Sequence, residues 1–155
     1  MLLENKVAVI YGAGGSIGGA VARGFAREGA NVFLAGRTQS SLDKVAEEIR
    51  SKGGTVQVAE VDALDAMEGL RRQWAVELGQ YGIRVLTLKT GGIPESIPED
   101  APERDEIIDN LLPQTLLHRA ATLEDVGNVA AFAASDRART ITSAEINISC
   151  GAIVD

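Results

Sequence analysis

A chain of 155 residues, 45% hydrophobic and 24% charged, has the make-up of an ordinary folded domain, which excludes a disordered one. A net charge of −7 with no Lys/Arg run argues against non-specific binding to nucleic acid or to an anionic membrane. The only cysteine, Cys150, excludes an intramolecular disulfide framework and fits a reducing cytoplasm; no signal peptide fits the N-terminus and no apolar run is long enough to span a bilayer.

Val7–Ile10 is a short, β-branched apolar run, as expected for a strand buried on both faces. It stops at Gly12-Ala13-Gly14-Gly15-Ser16-Ile17-Gly18. From Ile17 the period changes: Ile17, Val21 and Phe25 recur every four residues, with Arg23, Arg27 and Glu28 on the other side, so an amphipathic helix begins inside the glycine cluster and closes at Gly29. Asn31–Ala35 reads as the second strand, ending at Gly36-Arg37. Ser40 is expected to cap the next helix, whose apolar stripe is Leu42, Val45, Ala46 and Ile49; Gly53-Gly54 ends it. Thr55–Val61 is the third strand, followed by Asp62.

The order β-α-β-α-β with short connections implies a parallel sheet with right-handed crossovers. A helix over Leu64–Leu78 follows, with the stripe Met67, Leu70, Trp74 and Leu78, and then a fourth strand at Ile83–Leu88. Thr90–Pro102 is a loop rich in Gly and Pro. Glu103–His118 has weak helical periodicity, interrupted by Pro113. Thr122 with Asp125 forms a capping box for a helix with the stripe Leu123, Val126, Ala130 and Ala133, and Glu145–Ser149 is the last strand. No repeat or linker divides the chain, so residues 1–155 read as a single α/β, doubly wound, Rossmann-like domain.

The chemistry converges on the first turn. Gly12, Gly14, Gly15 and Gly18 let the backbone turn tightly and approach a pyrophosphate, while Ser16 and Ile17 open a helix whose free N–H groups and dipole favour an anion. The alternative is a Gly-rich turn that binds another phosphate, or none. Arg37 stands after the second strand, where the adenosine ribose of a dinucleotide lies in such folds. Gly36 occupies the place of the acid that would bind a 2′-hydroxyl, so the sequence favours NADP(H) over NAD(H). A solvated loop arginine is the plainer reading. Asp62 is placed to accept a hydrogen bond from an adenine amino group, or to serve as a turn or capping residue.

These residues resemble the short-chain dehydrogenase/reductase family over nearly the whole chain. The family's Thr-Gly-x-x-x-Gly-x-Gly turn is matched by Tyr11–Gly18, with Tyr11 for the Thr and Ser16 for the middle Gly. Val61-Asp62, Glu77–Val85, Glu124–Val129 and Thr140–Ser143 resemble further family stretches; Ser143 and Cys150 stand where glycines are common. Thr90-Gly91-Gly92-Ile93 resembles the segment whose backbone meets the nicotinamide amide, which implies cofactor-binding roles for Gly91 and Ile93. The resemblance implies hydride transfer between the nicotinamide and a small carbonyl or alcohol substrate. It also implies homo-oligomers formed through the last helix and strand.

The family's catalytic Tyr-x-x-x-Lys and its partner Ser have no counterpart. The only tyrosines are Tyr11 and Tyr81, and the residues four beyond them are Gly15 and Val85. The family-like text breaks off near Asp62-Ala63-Leu64 and resumes near Ala66, as if roughly sixty to ninety residues, two strand–helix units, had been deleted at 63–66. Lys89, Ser96 and His118 have weak claims to catalysis, and no catalytic or metal-binding residue is assigned. The chain therefore reads as a short-chain oxidoreductase with impaired catalysis, as a non-catalytic module that binds NADP(H) or pairs with a homologue, or as a deletion product without function. Closure of the shortened sheet in the order 3-2-1-4-5, with Leu86 beside Val9, is the expected topology; an incomplete sheet with an exposed apolar edge is the alternative.

Overall fold

The computed structural model describes residues 1–61 and 67–154, with the side chains of 67–70 outside that description; the Asp62 site and the 63–66 junction therefore lie outside the described residues. Five strands and five helices follow in the order β1 (Val7–Tyr11), α1 (Ser16–Arg27), β2 (Asn31–Gly36), α2 (Gln39–Ser51), β3 (Thr55–Glu60), α3 (Met67–Gly79), β4 (Leu86–Thr90), α4 (Arg104–Leu111), α5 (Leu123–Ala134) and β5 (Ala144–Ile148). All ladders are parallel. The first half forms β1-β2-β3, with Val9 opposite Phe33 and Phe33 opposite Gln57. The second half forms β4-β5, with Leu88 opposite Ile146.

The expected single sheet does not close. Among the described residues β1 pairs with β2 alone, and β4 pairs with β5 alone. The crossover through α3 does not bring β4 into hydrogen-bonding register with β1, so each half keeps an open edge, as the incomplete-sheet alternative requires.

The apolar stripes otherwise do what their spacing demands. Val21 and Phe25 of α1 are buried, as are Leu42, Val45, Ala46 and Ile49 of α2, against Val32 and Leu34 of β2 and Val56 of β3. Leu3, Ile93, Val126, Ala130 and Ile148 belong to the same continuous core, so the two sheets share one interior. The joint between the halves is helix on helix. A Cβ on Gly24 of α1 would stand 3.1 Å from the Gly127 carbonyl oxygen of α5, and one on Gly127 would stand 3.2 Å from that of Ala20. Glycine at both positions suits this close approach of two helix backbones, since a Cβ at either would press on the other helix.

Several boundaries moved, each for a local reason. Thr38, not Ser40, is the N-cap of α2; Ser40 sits inside the first turn, and Asp43 accepts from the Gln39 side chain at 2.8 Å. β4 begins at Leu86, three residues later than expected. Arg84 turns away to donate to five carbonyls at the end of α5 and just beyond it (Ala133, Ala134, Ser135, Ala138 and Ile141, at 2.5–3.2 Å), and Val85 bonds the Thr142 and Ser143 turn instead of a strand. The weakly periodic segment 103–118 is helical only over Arg104–Leu111; Pro113 follows in a 3₁₀ turn, since it cannot donate to a continuing α-helix. The capping box of α5 forms as expected, Thr122 accepting from the Asp125 N–H at 3.0 Å and Asp125 from the Thr122 N–H at 3.1 Å.

Candidate functional site: a glycine turn at a bare helix N-terminus

Gly12 has φ +72°, a conformation that strains any residue with a Cβ, and it sends the chain back under the start of α1. The Gly15 N–H bonds the Gly12 carbonyl at 3.1 Å and the Gly19 N–H bonds that of Gly15 at 2.8 Å. A Cβ on Gly18 would lie 2.2 Å from the Gly12 oxygen, so α1 rests directly on the turn only because Gly18 lacks one. Gly14 is pressed by α2, its hypothetical Cβ being 3.0 Å from that of Ser41. The Ala13 N–H bonds the Ala35 carbonyl and pins the turn to the end of β2.

This leaves the N–H groups of Ser16, Ile17 and Gly18 without a backbone acceptor among the described residues. The N-cap is Gly15, which brings no side-chain cap, and the first turn of α1 contains no acid. A twelve-residue helix thus presents uncompensated donors and the positive end of its dipole to the mouth of the turn. The contrast with α5 is informative, because there Thr122, Asp125 and the Glu95 carboxylate on the Leu123 N–H satisfy the same kind of helix end. Such a helix end favours an anionic group.

Arg37 follows the end of β2, is exposed, and makes no hydrogen bond or ion pair among the described residues. The register adds a group that the linear reading missed: Gly36 is the ladder partner of Glu60, which places a carboxylate on the strand beside the arginine. Trp74 was expected only as a core-stripe residue of α3. It instead stacks on Tyr11, ring centroids 5.6 Å apart and planes 27° from parallel, beside the glycine turn.

The segment with Gly91 and Ile93 leaves β4 on the other sheet. A Cβ on Gly91 would meet Ser149 at 3.2 Å, one on Gly92 would overlap the Leu111 side chain at 1.8 Å, and Ile93 is buried. The Ile93 carbonyl accepts from both the N–H and the hydroxyl of Ser96, at 2.9 and 2.7 Å. Ser96 is therefore committed to its own turn. Lys89 is ion-paired with Glu145, which also takes Arg71 at 3.4 Å. His118 is exposed, with φ +51°. No group of three or more His, Cys, Asp or Glu poised for a metal occurs among the described residues, and no helix among them is long and apolar enough to cross a membrane. Ser143 and Cys150 have φ +53° and +55°, which supplies the physical reason that glycine suits those positions.

Comparison with known proteins divides the chain at the same place as its sheets. Residues 6–66 match the short chain dehydrogenase family and residues 63–152 the family described as enoyl-(acyl carrier protein) reductase. The meso-2,3-butanediol dehydrogenase of Serratia marcescens is 38% identical over 85 residues, 54% of this chain and 33% of that protein. The NADH-dependent enoyl-[acyl-carrier-protein] reductase of Haemophilus influenzae is 33% identical over 86 residues, 56% of this chain and 33% of that protein. These matches span about a third of those relatives' length. A short-chain dehydrogenase/reductase from Serratia marcescens superposes with a TM-score of 0.76 at 19% identity, covering 97% of this chain and 99% of that one. The hydroxysteroid dehydrogenase of Escherichia coli superposes at 0.77 and 19%, covering 98% of each. With a bare glycine turn at the head of a parallel α/β fold and family matches that together run from residue 6 to 152, the chain belongs to the short-chain dehydrogenase/reductase family.

Proposed function

We propose that this chain binds a nicotinamide dinucleotide, prefers NADP(H), and does not turn it over efficiently. The observation that carries the reading is the helix end at Ser16–Gly18, whose donors find no acceptor among the described residues, beside Arg37, which has no partner among them. The N–H groups of Ser16, Ile17 and Gly18 would hold the pyrophosphate. Arg37 would take the 2′-phosphate in its guanidinium fork, for which no carboxylate among the described residues competes within ion-pair distance. Asp62 is assigned to the adenine, and the backbone of Gly91 and Ile93 to the nicotinamide amide, by family resemblance. Glu60 acts against the NADP(H) preference through its charge and sets its size.

Bound there, the dinucleotide supplies or accepts a hydride at a carbonyl/alcohol pair. The chain's part in such a reaction is to bind and orient. A proton must reach the oxygen of the reduced carbonyl, and a positioned acid is typically worth about 10²–10⁴-fold. Ser96 bonds its own turn and Lys89 is neutralised by Glu145, so neither is poised for that step. The missing Tyr-x-x-x-Lys and the 63–66 junction are read together as an internal deletion, and the protein as a cytoplasmic binding module. Association through α5 and β5, which the family resemblance implies, would use the exposed Phe132.

The test is an assay of NADPH and NADH oxidation against a panel of carbonyl compounds, with binding measured by calorimetry. Binding of NADPH weakened about tenfold or more by Arg37→Ala, with no turnover, is the expected result. Turnover that Arg37→Ala abolishes would restore a working enzyme and overturn the impaired reading.

A further inference from the structure

We propose that the open edge of β1 is an interface between two copies of this chain, paired antiparallel about Val9. The backbone sets which groups are free. The Asn31 N–H bonds the Lys6 carbonyl, so by the two-residue period of a strand Ala8 and Ile10 also point their polar groups at β2. Val7, Val9 and Tyr11 point theirs the other way, where no strand lies among the described residues. Their side chains share the sheet face opposite Ile10, and Val7 and Val9 are 66% and 59% exposed. Among the described residues an apolar strand thus lies unpaired along its edge, with Val7 and Val9 exposed on one face.

The sequence of β1, Val-Ala-Val-Ile-Tyr, contains none of the usual protections of an exposed edge: no charge, no proline and no bulge. The other edges differ. β3 carries Glu60 and Gln57, β4 carries Lys89, and β5 carries Glu145. A two-fold axis opposes each strand to itself, so a charged edge tends to meet its own sign, and β1 alone among the described edge strands is free of charge. The geometry is also self-complementary. With Val9 across from its copy, Val7 falls opposite the copy's Tyr11, which Trp74 already backs with its ring. Val7 then meets the copy's aromatic stack and Val9 the copy's Val9, and every outward N–H and C=O of Val7, Val9 and Tyr11 finds a partner. The result is a continuous six-stranded sheet, β3-β2-β1 joined to its symmetry mate.

The test uses the full chain in sedimentation equilibrium over a wide concentration range. The proposal expects twice the 16.3 kDa chain mass at high concentration, with dissociation on dilution. Val9→Lys, which places two ammonium groups across the axis, should hold the protein at monomer mass with an unchanged circular dichroism spectrum. In a Cys150→Ala background, Val9→Cys should link into a dimer with a short bis-maleimide, and Gln57→Cys on β3 should not. Monomer at every concentration, assembly beyond a dimer, or a dimer that survives Val9→Lys and yields to Phe132→Glu on α5 would each overturn it.

Discussion

The two halves of the molecule are held together by different means. The first, β1–β3 with α1 and α2, is joined by apolar packing: Leu34 and Leu42 are fully buried, and the helices meet the strands through aliphatic stripes. The second, β4–β5 with α3 and α4, has a β4 of intermediate burial throughout, a β5 in which only Ile148 is buried, and an α4 with no buried residue. Long charged side chains do more of the tying there. Arg84 gathers five carbonyls, and Arg71, itself 6% exposed, bridges α3 to the Ser143 carbonyl at 2.7 Å and to Glu145 on β5. The ligand-facing turn sits in the apolar half, where a rigid frame holds backbone donors in place. A half pinned by guanidinium groups depends on a few polar contacts and is the easier of the two to loosen.

Substitutions can break this contrast. The largest effect is expected at Gly18→Ala, since the new methyl would lie 2.2 Å from the Gly12 carbonyl oxygen, which is backbone and cannot swing aside. A loss of about 3 kcal/mol in chemical denaturation, together with loss of dinucleotide binding, is the expected outcome. Next comes Arg84→Met, which keeps the aliphatic stem but strands its carbonyl acceptors; about 2 kcal/mol is expected, and hydrogen exchange should rise around 133–145 more than in β1–β3. Thr122→Ala removes one arm of the capping box and should cost about 1 kcal/mol.

Two smaller effects sharpen the contrast. Asp125 is held below the ordinary carboxylate value of 3.8, first by the Thr122 backbone N–H and also by the Thr122 hydroxyl and Arg119, against a partial desolvation. A lowered folded-state pKa gives stability that is fully present above 3.8 and lost as pH falls through the folded value. The stability gap between wild type and Asp125→Asn should therefore narrow below pH 3.8 when followed by acid titration. Ser143→Gly relieves an exposed left-handed residue at φ +53° and should stabilise by about 0.5 kcal/mol in thermal melts.

How much of this was legible in the sequence follows the same division. Strands and helices whose stripes face an apolar core could be read from spacing, as at Leu42, Val45, Ala46 and Ile49. The glycine turn could be read because φ and close approach restrict residue choice at Gly12 and Gly18. Arg84 could not. A guanidinium reaching five carbonyls some fifty residues away leaves no periodic trace, and it displaced the start of β4. The failed closure of the sheet had the same origin. Topological rules describe how strands connect, but they do not provide the second hydrogen-bonding neighbour that β1 lacks among the described residues. Glu60 was hidden because its meaning depends on register with Gly36.

The most direct measurement uses Trp74, the only tryptophan, stacked on Tyr11 at the edge of the turn. Its emission should fall in a saturable way as NADPH is added, through energy transfer to the reduced nicotinamide. NADH should need about tenfold more to give the same change, and Arg37→Asp should erase that preference while the protein stays folded. A Trp74 signal unchanged by either nucleotide would contradict the claim that Gly12–Gly18 and Arg37 form a dinucleotide site.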